Sequence, residues 1–265
     1  MIGNEQNKHN LLSMKKNVKM ALLMFAGALV LVGAGLLTAC QPNYGKITDK
    51  ALTIGNYTAI EVSNGIDVEM SAAIVAPKLE ADELIHDKVV IKEEDGVLKM
   101  ELVDMIYSAK IKQLKVYLPL NTDLRKISAT GACYVNVKGE IRLNAVDLSG
   151  ASSLDVDMTT DMKEIKMSGT SRANIVGVGD VVTLDISGGS DLEADKLLVS
   201  EMNGSLSGAS SVDVTVCTRL ALVASGASII NYGLVSPTCE LDNDCELSGG
   251  SMISVRGENG SSDGK

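Results

Sequence analysis

The sequence has no tryptophan, a single phenylalanine and two histidines among 265 residues. Phe25 lies near the start of the chain, so beyond it the aromatic residues are all tyrosines. A core without large rings has to be built from Val, Ile, Leu, Met and Ala, which suits thin stacked β-coils. With His9 and His86 alone and no CxxC or Cys/His cluster, a zinc site lacks ligands. No cofactor is predicted.

Positive charge is also scarce. The chain has 24 Lys and Arg against 34 Asp and Glu, a formal net charge of −10 at pH 7, and four of the lysines precede residue 40. An acidic surface disfavours nucleic acid and bare anionic phospholipid head groups as partners. We therefore expect no nucleic-acid function.

What the chain has in quantity is a short glycine motif. Ser/Thr-Gly-small-Ser recurs seven times, with gaps of 19, 19, 19, 20, 18 and 23 residues between its glycines. A regular period in this range is typical of a quasi-one-dimensional architecture in which each repeat forms one coil. The motif glycines are Gly131, Gly150, Gly169, Gly188, Gly208, Gly226 and Gly249.

Apolar residues alternate with polar ones on both sides of each motif. Val146 and Leu148 precede Gly150, Leu154 and Val156 follow it, and the other copies repeat this arrangement. A period of two on both sides of a turn predicts two half-buried strands per coil. We predict an all-β fold, a single-stranded parallel β-solenoid of two sheets with about 19 residues per coil and Ser-Gly-small-Ser turns.

The motif predicts a corner of the coil, not a catalytic serine. Glycine permits positive φ and close backbone approach, and the small residue after it fits where two strands converge. The flanking hydroxyls are expected to form ladders that bond to the turn backbone. A nucleophilic serine motif would occur once, whereas this one occurs seven times. Cys133 replaces the second serine in the first copy and is predicted to be a small turn residue.

The segment before the repeats is less regular but still alternates. Val89 to Met100 is predicted as a strand, a turn at Glu94-Asp95-Gly96 and a second strand. A stack of coils needs caps at its ends, and uncovered terminal strands would invite pairing with another chain. A homo-oligomer is therefore one expected possibility.

The start of the chain resembles a targeting signal. A lysine-rich segment at 15–19 precedes an uncharged apolar run at 20–39. This run is long enough for a retained transmembrane helix, but the basic flank and small residues are also typical of a secretory signal. Leu37-Thr38-Ala39-Cys40 resembles the lipobox of bacterial lipoproteins, which implies cleavage before Cys40 and lipid attachment to it. Gln41 implies delivery to the outer membrane, facing the periplasm or the cell surface.

These observations divide the chain into four parts. The predicted organisation is a lipoprotein signal peptide at 1–39, an anchor linker at 40–50, a solenoid domain at 51–257 with less regular strands over 51–126 and seven regular repeats over 127–257, and a flexible polar tail at 258–265. Because solenoids escape the size limit of compact cores, one elongated domain can hold the whole solenoid.

Among the remaining cysteines, one disulfide is possible. Cys133 and Cys217 are separated by four coils, about 19 Å along the stack, and cannot bridge. Cys239 and Cys245 flank residues 240–244, within the repeat stretched to 23 residues. An oxidising compartment would allow a Cys239–Cys245 disulfide that closes this insertion, although Cys245 also falls on an inward column.

Acidic and amide side chains share one predicted outward column. Side chains from several coils of such a column could bind calcium together, or they could simply be exposed to solvent. Asp242-Asn243-Asp244 could likewise coordinate a cation, but it lacks the later Glu of a calcium loop, which favours a turn. The column consists of Asp155, Asn174, Glu193, Asp213 and Asn231.

Several segments, taken in order, resemble one known family. Ile60 to Met70, the Glu94-Asp95-Gly96-Val97-Leu98 turn, Val116-Tyr117-Leu118-Pro119 and the Ser-Gly-Ala-Ser ladder together resemble the putative autotransporter adhesin head GIN domain family. The resemblance spans about residues 51 to 257. It implies a two-sheet parallel β-solenoid similar to pectin-lyase-like folds, and a role in cell adhesion.

The sequence therefore favours a non-enzymatic exported lipoprotein whose solenoid head is an adhesion or interaction module at the cell envelope. Its expected partner is a protein or glycan at the cell surface or in the envelope, and lipid on Cys40 provides the membrane contact. One alternative is an envelope scaffold or sensor accessory that binds proteins of the same cell. Another is a carbohydrate-binding or degenerate polysaccharide-lyase-like protein. Lyase chemistry needs a convergent base and paired carboxylates, whereas the arginines here fall on different coils.

Overall fold

The computed structural model describes residues 45–103 and 111–256. Within these ranges the chain is β-structure apart from one 3-10 helix, Glu83–Lys88, and no helix there is long and apolar enough to cross a membrane. The strands are β1 (Ile47–Ala51), β2 (Ala59–Ser63), β3 (Asp67–Ser71), β4 (Lys78–Asp82), β5 (Val89–Glu94), β6 (Val97–Leu102), β7 (Leu114–Pro119), β8 (Lys126–Thr130), β9 (Tyr134–Ile141), β10 (Ala145–Ser149), β11 (Ser153–Met167), β12 (Arg172–Ile186), β13 (Asp191–Leu206), β14 (Ser211–Ala224), β15 (Ile229–Leu234), β16 (Asp242–Asn243), β17 (Glu246–Leu247) and β18 (Met252–Val255).

The strands wind into a β-solenoid of about 7 turns with about 19 residues per coil, which confirms the predicted fold class. Strand segments before each glycine corner pair in parallel with their equivalents in the next coil, as in Val146↔Ile165. Segments after the corner do the same, as in Leu154↔Ala173. We call these two surfaces the pre-corner face and the post-corner face.

In the middle of the solenoid, one long strand serves both faces. Strands β11 to β14 each contain 14 to 16 residues and run from one corner to the next. Register shifts between Val156 and Glu164 mark where β11 bends relative to β12. The two strands predicted per coil are therefore halves of one bent strand in these coils, and all strands belong to one hydrogen-bonded sheet.

The core lies between the two faces and consists of the predicted inward columns. Burying each Val, Leu, Ile or Met side chain of these columns contributes about 1.5–3 kcal/mol, so the columns drive coil stacking. The buried members are Ile127, Ala129, Val146, Leu148, Ile165, Met167, Leu184, Ile186, Leu206, Leu222 and Ala224 before the corners, and Val135, Val137, Leu154, Val156, Ala173, Ile175, Leu192, Ala194, Val212, Val214 and Ile230 after them.

The last coil departs from this pattern. Leu247 is 41% exposed although it occupies an inward position, and Cys245, Ile253 and Val255 are only half-buried. An inward residue is covered by the coils on both sides of its own, and no described coil follows this one.

The first coils are stacked out of sequence order. Ile60 of β2 pairs with Leu98 of β6 on one side and with Ile127 of β8 on the other. Val68 of β3 likewise lies between β7 and β9. The coil formed by β6 and β7 therefore stacks outside the earlier coil formed by β2 and β3. The chain then returns to the inner side of β2 and β3 to continue the solenoid.

Antiparallel strands cover this first end. Strand β5 pairs with β6 across a turn in which Asp95 and Gly96 have positive φ, which confirms the predicted strand, turn and strand. Strand β1 pairs with β4, and β4 with β7. Asp82 is almost fully buried, and its carboxylate accepts hydrogen bonds from the N–H groups of Gly45 and Leu84 at 2.9 and 3.0 Å. These bonds hold the start of the described chain against the helix.

Candidate interaction surface

At six of the seven corners, close backbone contacts between coils require a glycine. All seven have φ between 67° and 80°. At five consecutive corners, the residue after the glycine donates its N–H to the carbonyl of the previous corner glycine at 2.6–2.7 Å. A Cβ on Gly169 would lie 2.3 Å from the oxygen of Gly150, so this close approach excludes a side chain. The glycine motif is therefore a structural element of the solenoid.

In five of the seven copies, the second serine of the motif also has a structural role. Each of these hydroxyls is buried and donates to the carbonyl three residues earlier at 2.8–3.0 Å. Cys133 makes the equivalent contact, because its Sγ donates to the carbonyl of Thr130 at 3.2 Å. Burial raises the pKa of the Cys133 thiol, which keeps it protonated. The serines with this contact are Ser152, Ser171, Ser190, Ser210 and Ser228.

The stretched repeat contains a different disulfide from the predicted one. Cys239 is bonded to Cys217, with 5.1 Å between their Cα atoms, and Cys245 is a free, half-buried thiol. The Cys239–Cys245 prediction was wrong because the inserted segment folds back across the preceding coil, beside the middle of β14, where Cys217 lies. Cys245 instead sits on its inward column, where its Sγ lies 3.5 Å from the carbonyl of Leu220. Cys40, predicted to carry lipid, lies outside the described residues.

One row of outward side chains crosses the whole post-corner face. Its members are directly opposite one another on neighbouring strands, about 4.8 Å apart, because the parallel register is kept from coil to coil. The row includes every residue of the predicted outward column. In stacking order it consists of Tyr117, Glu69, Asn136, Asp155, Asn174, Glu193, Asp213, Asn231 and Ser254.

At the first end of this row the side chains form a cluster that we call the tyrosine patch. Glu69 lies between two ammonium groups, at 2.7 Å from Lys115 Nζ and 2.9 Å from Lys138 Nζ. Hydrogen bonds from these lysines lower the pKa of Glu69, and the bond to Glu69 raises the pKa of Lys115. The ring centroid of Tyr117 lies 4.7 Å from Lys78 Nζ and 4.8 Å from Lys115 Nζ. Cation–π attraction therefore orients this ring at the surface.

Tyr134 extends the tyrosine patch toward the regular repeats. Its hydroxyl donates a 2.5 Å hydrogen bond to Oδ2 of Asp155 in the next coil. This bond, with a smaller effect of burial, raises the pKa of Tyr134 to about 12. The patch thus consists of Glu69, Lys78, Lys115, Tyr117, Tyr134, Lys138 and Asp155.

Two acidic members of the outward column already have protein partners. Asp155 accepts from Tyr134, and Asp213 forms an ion pair with Arg256. In residues 45–103 and 111–256 no group of three or more His, Cys, Asp or Glu side chains is arranged to hold a metal ion. The Asp242-Asn243-Asp244 segment is not a turn, since Asp242 and Asn243 form β16, and Asp244 lies 3.1 Å from Arg219.

Sequence reasoning missed the tyrosine patch. Tyr117 and Lys115 meet Glu69 only because β7 stacks on β3, and nothing in their spacing of 46 to 48 residues indicates this. A partial signal was available, since Lys115 and Tyr117 alternate with buried Val116 and Leu118 and must point outward.

Several solved structures share this fold. The chain is 19% identical to a putative adhesin from Parabacteroides merdae, with a TM-score of 0.60, covering 80% of this chain and 96% of that one. A putative adhesin from Bacteroides fragilis is 16% identical, with a TM-score of 0.61 and coverage of 82% and 98%. A putative lipid binding protein from Parabacteroides distasonis is 14% identical, with a TM-score of 0.59 and coverage of 80% and 97%. At these identities the likeness establishes the fold alone.

The comparison of sequence families is more specific. No significant match to a curated protein was found. One family model, described as "Putative auto-transporter adhesin, head GIN domain", matches residues 56–233. This range contains the tyrosine patch and six of the seven corners. Since the model matches more than half of the chain, the protein belongs to the head GIN domain family of putative autotransporter adhesins.

Proposed function

We propose that this protein is a non-enzymatic adhesion module that binds its partner through the tyrosine patch on the post-corner face. The observation that carries the proposal is the pair of outward tyrosines, Tyr117 and Tyr134, held in place by charged neighbours on a rigid stack of strands. Tyrosine presents a large apolar ring together with a hydrogen-bonding hydroxyl, and it is enriched in binding surfaces for this reason. The family description as a putative adhesin supports the same function.

The charges of the patch favour a polar, uncharged or mixed-charge partner. Glu69 is neutralised by two lysines, and Asp155 is engaged by Tyr134. A partner therefore gains little from net charge and more from ring contacts and hydrogen bonds. Glycans and polar protein surfaces meet this description, so we propose one of these at the cell surface as the ligand.

We further propose that the module is exported and anchored to the outer membrane by lipid on Cys40. The lipobox-like Leu37-Thr38-Ala39-Cys40 supports lipid attachment, and Gln41 supports the outer membrane. The Cys217–Cys239 disulfide supports an oxidising compartment, since disulfides persist outside the cytosol.

Binding to glycan arrays, to host cell surfaces and to envelope proteins tests the proposed recognition. We expect Tyr117→Ala and Tyr134→Ala each to weaken binding by about tenfold or more, because buried aromatic anchors dominate interface energies. Lys166→Ala is the matched control, since Lys166 is an outward, ion-paired residue of the pre-corner face. An equal loss of binding in Lys166→Ala and in the two tyrosine variants would contradict the assignment of the patch. Binding to envelope proteins of the same cell alone would replace the adhesin with a scaffold.

The anchor is tested separately in the producing bacterium. We expect Cys40→Ala to abolish lipid labelling and cleavage of the leader, and globomycin to cause the uncleaved precursor of the unmodified protein to accumulate. A Cys40→Ala protein that is processed normally but is still bound to membranes would contradict the lipid anchor. Substitutions in the tyrosine patch serve as controls, because they leave the leader unchanged.

A further inference from the structure

The two ends of the solenoid differ in how their sheet edges are protected. At the first end, the outermost strands β1 and β5 contain Asp49, Lys50, Lys92, Glu93 and Glu94. Charged side chains on an edge strand oppose pairing with another chain. Antiparallel strands and a helix also cover the core there.

The other end has an uncharged edge strand on the post-corner face, whereas β16 and β17 on the pre-corner face contain Asp242 and Glu246. Strand β18 has the sequence Met-Ile-Ser-Val and pairs with β15 on one side, while no strand in the described part of the chain pairs with its other side. The N–H of Met252 donates to Ser228 and that of Arg256 to Tyr232. Because successive residues of a strand direct their backbone groups to opposite sides, the N–H and C=O groups of Ile253 and Val255 face the open edge.

Side chains at this end also lack cover. Met252, on the outward side of β18, is 59% exposed against 37% for Ile229 opposite it, and Leu247, in an inward position, is 41% exposed. Ser251 Oγ is buried without a hydrogen-bond partner, whereas the equivalent Ser228 Oγ donates to the carbonyl of Ser225 at 2.9 Å. Unpaired backbone groups, exposed apolar side chains and an unsatisfied hydroxyl thus coincide in one coil.

We propose that a second copy of this chain docks on this end, with β18 pairing antiparallel to β18 of the copy. An antiparallel pair of identical strands is related by a two-fold axis, so one contact satisfies the open edges of both copies and closes the assembly. Stacking the bare end of one copy on the first end of another would instead produce an open filament, and the charged strands β1 and β5 oppose it.

The guanidinium group of Arg256, the residue directly after β18, does not obstruct this contact. Arg256 turns back over its own post-corner face, where Nη2 binds Asp213 and lies 2.9 Å from the carbonyl of Val214. Its Nη1 lies 3.1 Å from Thr215 Oγ1. On the post-corner face, two copies therefore meet through uncharged strands.

Sedimentation and light scattering of the full chain in detergent test the proposal. We expect a dimer whose mass falls about twofold in Val255→Pro, because proline removes an N–H that faces the open edge without removing a bond to β15. Met252→Lys is a second variant that places a charge on the edge and is expected to have the same effect. Val181→Lys is the control, since Val181 is 45% exposed on β12 in the middle of the solenoid.

Hydrogen exchange identifies what covers the edge. We expect protection of the Ile253 and Val255 amides that increases with protein concentration and is lost in Met252→Lys. A monomer at all concentrations, or a dimer unaffected by both edge variants, would overturn the proposal. Concentration-independent protection would also overturn it, because the chain's own residues would then cover the edge. Self-association and recognition by the tyrosine patch involve different coils, so either can fail without the other.

Discussion

The hydroxyl of Tyr134 and the carboxylate of Asp155, 21 residues apart, share a 2.5 Å hydrogen bond between two adjacent coils. The bond joins strands β9 and β11 on the outside of the solenoid, where register places Tyr134 opposite Ser153 and Asp155 opposite Asn136. It is a diagonal contact of the kind that long side chains make across neighbouring strands. This contact connects the tyrosine patch to the regular repeats.

Tyrosine titration should reveal this bond. The pKa of Tyr134 is raised from 10.0 to about 12 in the folded protein, so the folded state retains the proton more tightly than the unfolded state. The resulting stabilisation is fully present below about pH 10 and is lost as pH rises through about 12. We expect Tyr134→Phe to remove one late-titrating group from the absorbance titration of tyrosinate, and Asp155→Ala to shift that group toward 10. A Tyr134 that titrates near 10 in the unmodified protein would contradict the bond.

The corner glycine Gly169 and Gly65, which lies in the turn between β2 and β3, form a matched pair for testing coil contacts. Gly169 and Gly65 have φ of 76° and 80°, but a Cβ on Gly169 would lie 2.3 Å from the oxygen of Gly150, while a Cβ on Gly65 meets nothing within 4 Å. We expect Gly65→Ala to cost about 1–2 kcal/mol through backbone strain alone. Gly169→Ala should cost at least about 2 kcal/mol more, because the coils must also separate. Denaturant unfolding measures both, and equal costs would show that coil contact is unimportant.

Cys133 should be replaceable by the residue that the other corners use. Its Sγ donates to the carbonyl of Thr130 in the same way as the serine hydroxyls of the later corners. We expect Cys133→Ser to change the free energy of unfolding by less than about 1 kcal/mol. Cys133→Ala should cost about 0.5–1.5 kcal/mol, the usual net contribution of one hydrogen bond, because the carbonyl of Thr130 still accepts from the N–H of Asn64. A serine variant no more stable than the alanine variant would contradict this equivalence.

Removal of the Cys217–Cys239 disulfide should destabilise the last coils. The bond closes a segment with a sequence separation of 22 residues, for which chain entropy predicts a contribution of about 3 kcal/mol. We expect Cys217→Ser and Cys239→Ser to lower the thermal midpoint under oxidising conditions and Cys245→Ser to leave the disulfide intact. Intact-mass analysis after alkylation without reductant measures the bond directly. Loss of the bond in Cys245→Ser would show that the pairing is Cys239–Cys245.

The regular repeats could be predicted almost completely from the sequence. Gly150, Leu148 and Leu154 indicate a corner and two inward positions by local rules alone, since positive φ and period-two burial depend on near neighbours. The same rules put Asp155 and Asn174 in one outward column, because a constant interval places equivalent residues opposite each other. The prediction failed at Leu247, where burial depends on a following coil and not on the residue itself.

The tyrosine patch could not be predicted in this way. Strand β7 could have stacked on either edge of the growing solenoid with the same alternation of apolar residues. Its place outside β3, which brings Tyr117 and Lys115 to Glu69, is decided by long-range packing. The partner of Cys239 was likewise hidden, because the path of the inserted segment across the previous coil brings Cys217 within bonding distance.

By itself, the sequence determined the coil, its corner glycines and serines, and which side of each strand faces the core, because these depend on short-range backbone geometry and burial. The tertiary structure alone decided the stacking order of the first coils, the Cys217–Cys239 disulfide, the tyrosine patch and the uncovered edge at β18. These features join residues that are distant in the chain. Parallel pairing constrains their register but not which coil becomes the neighbour of which.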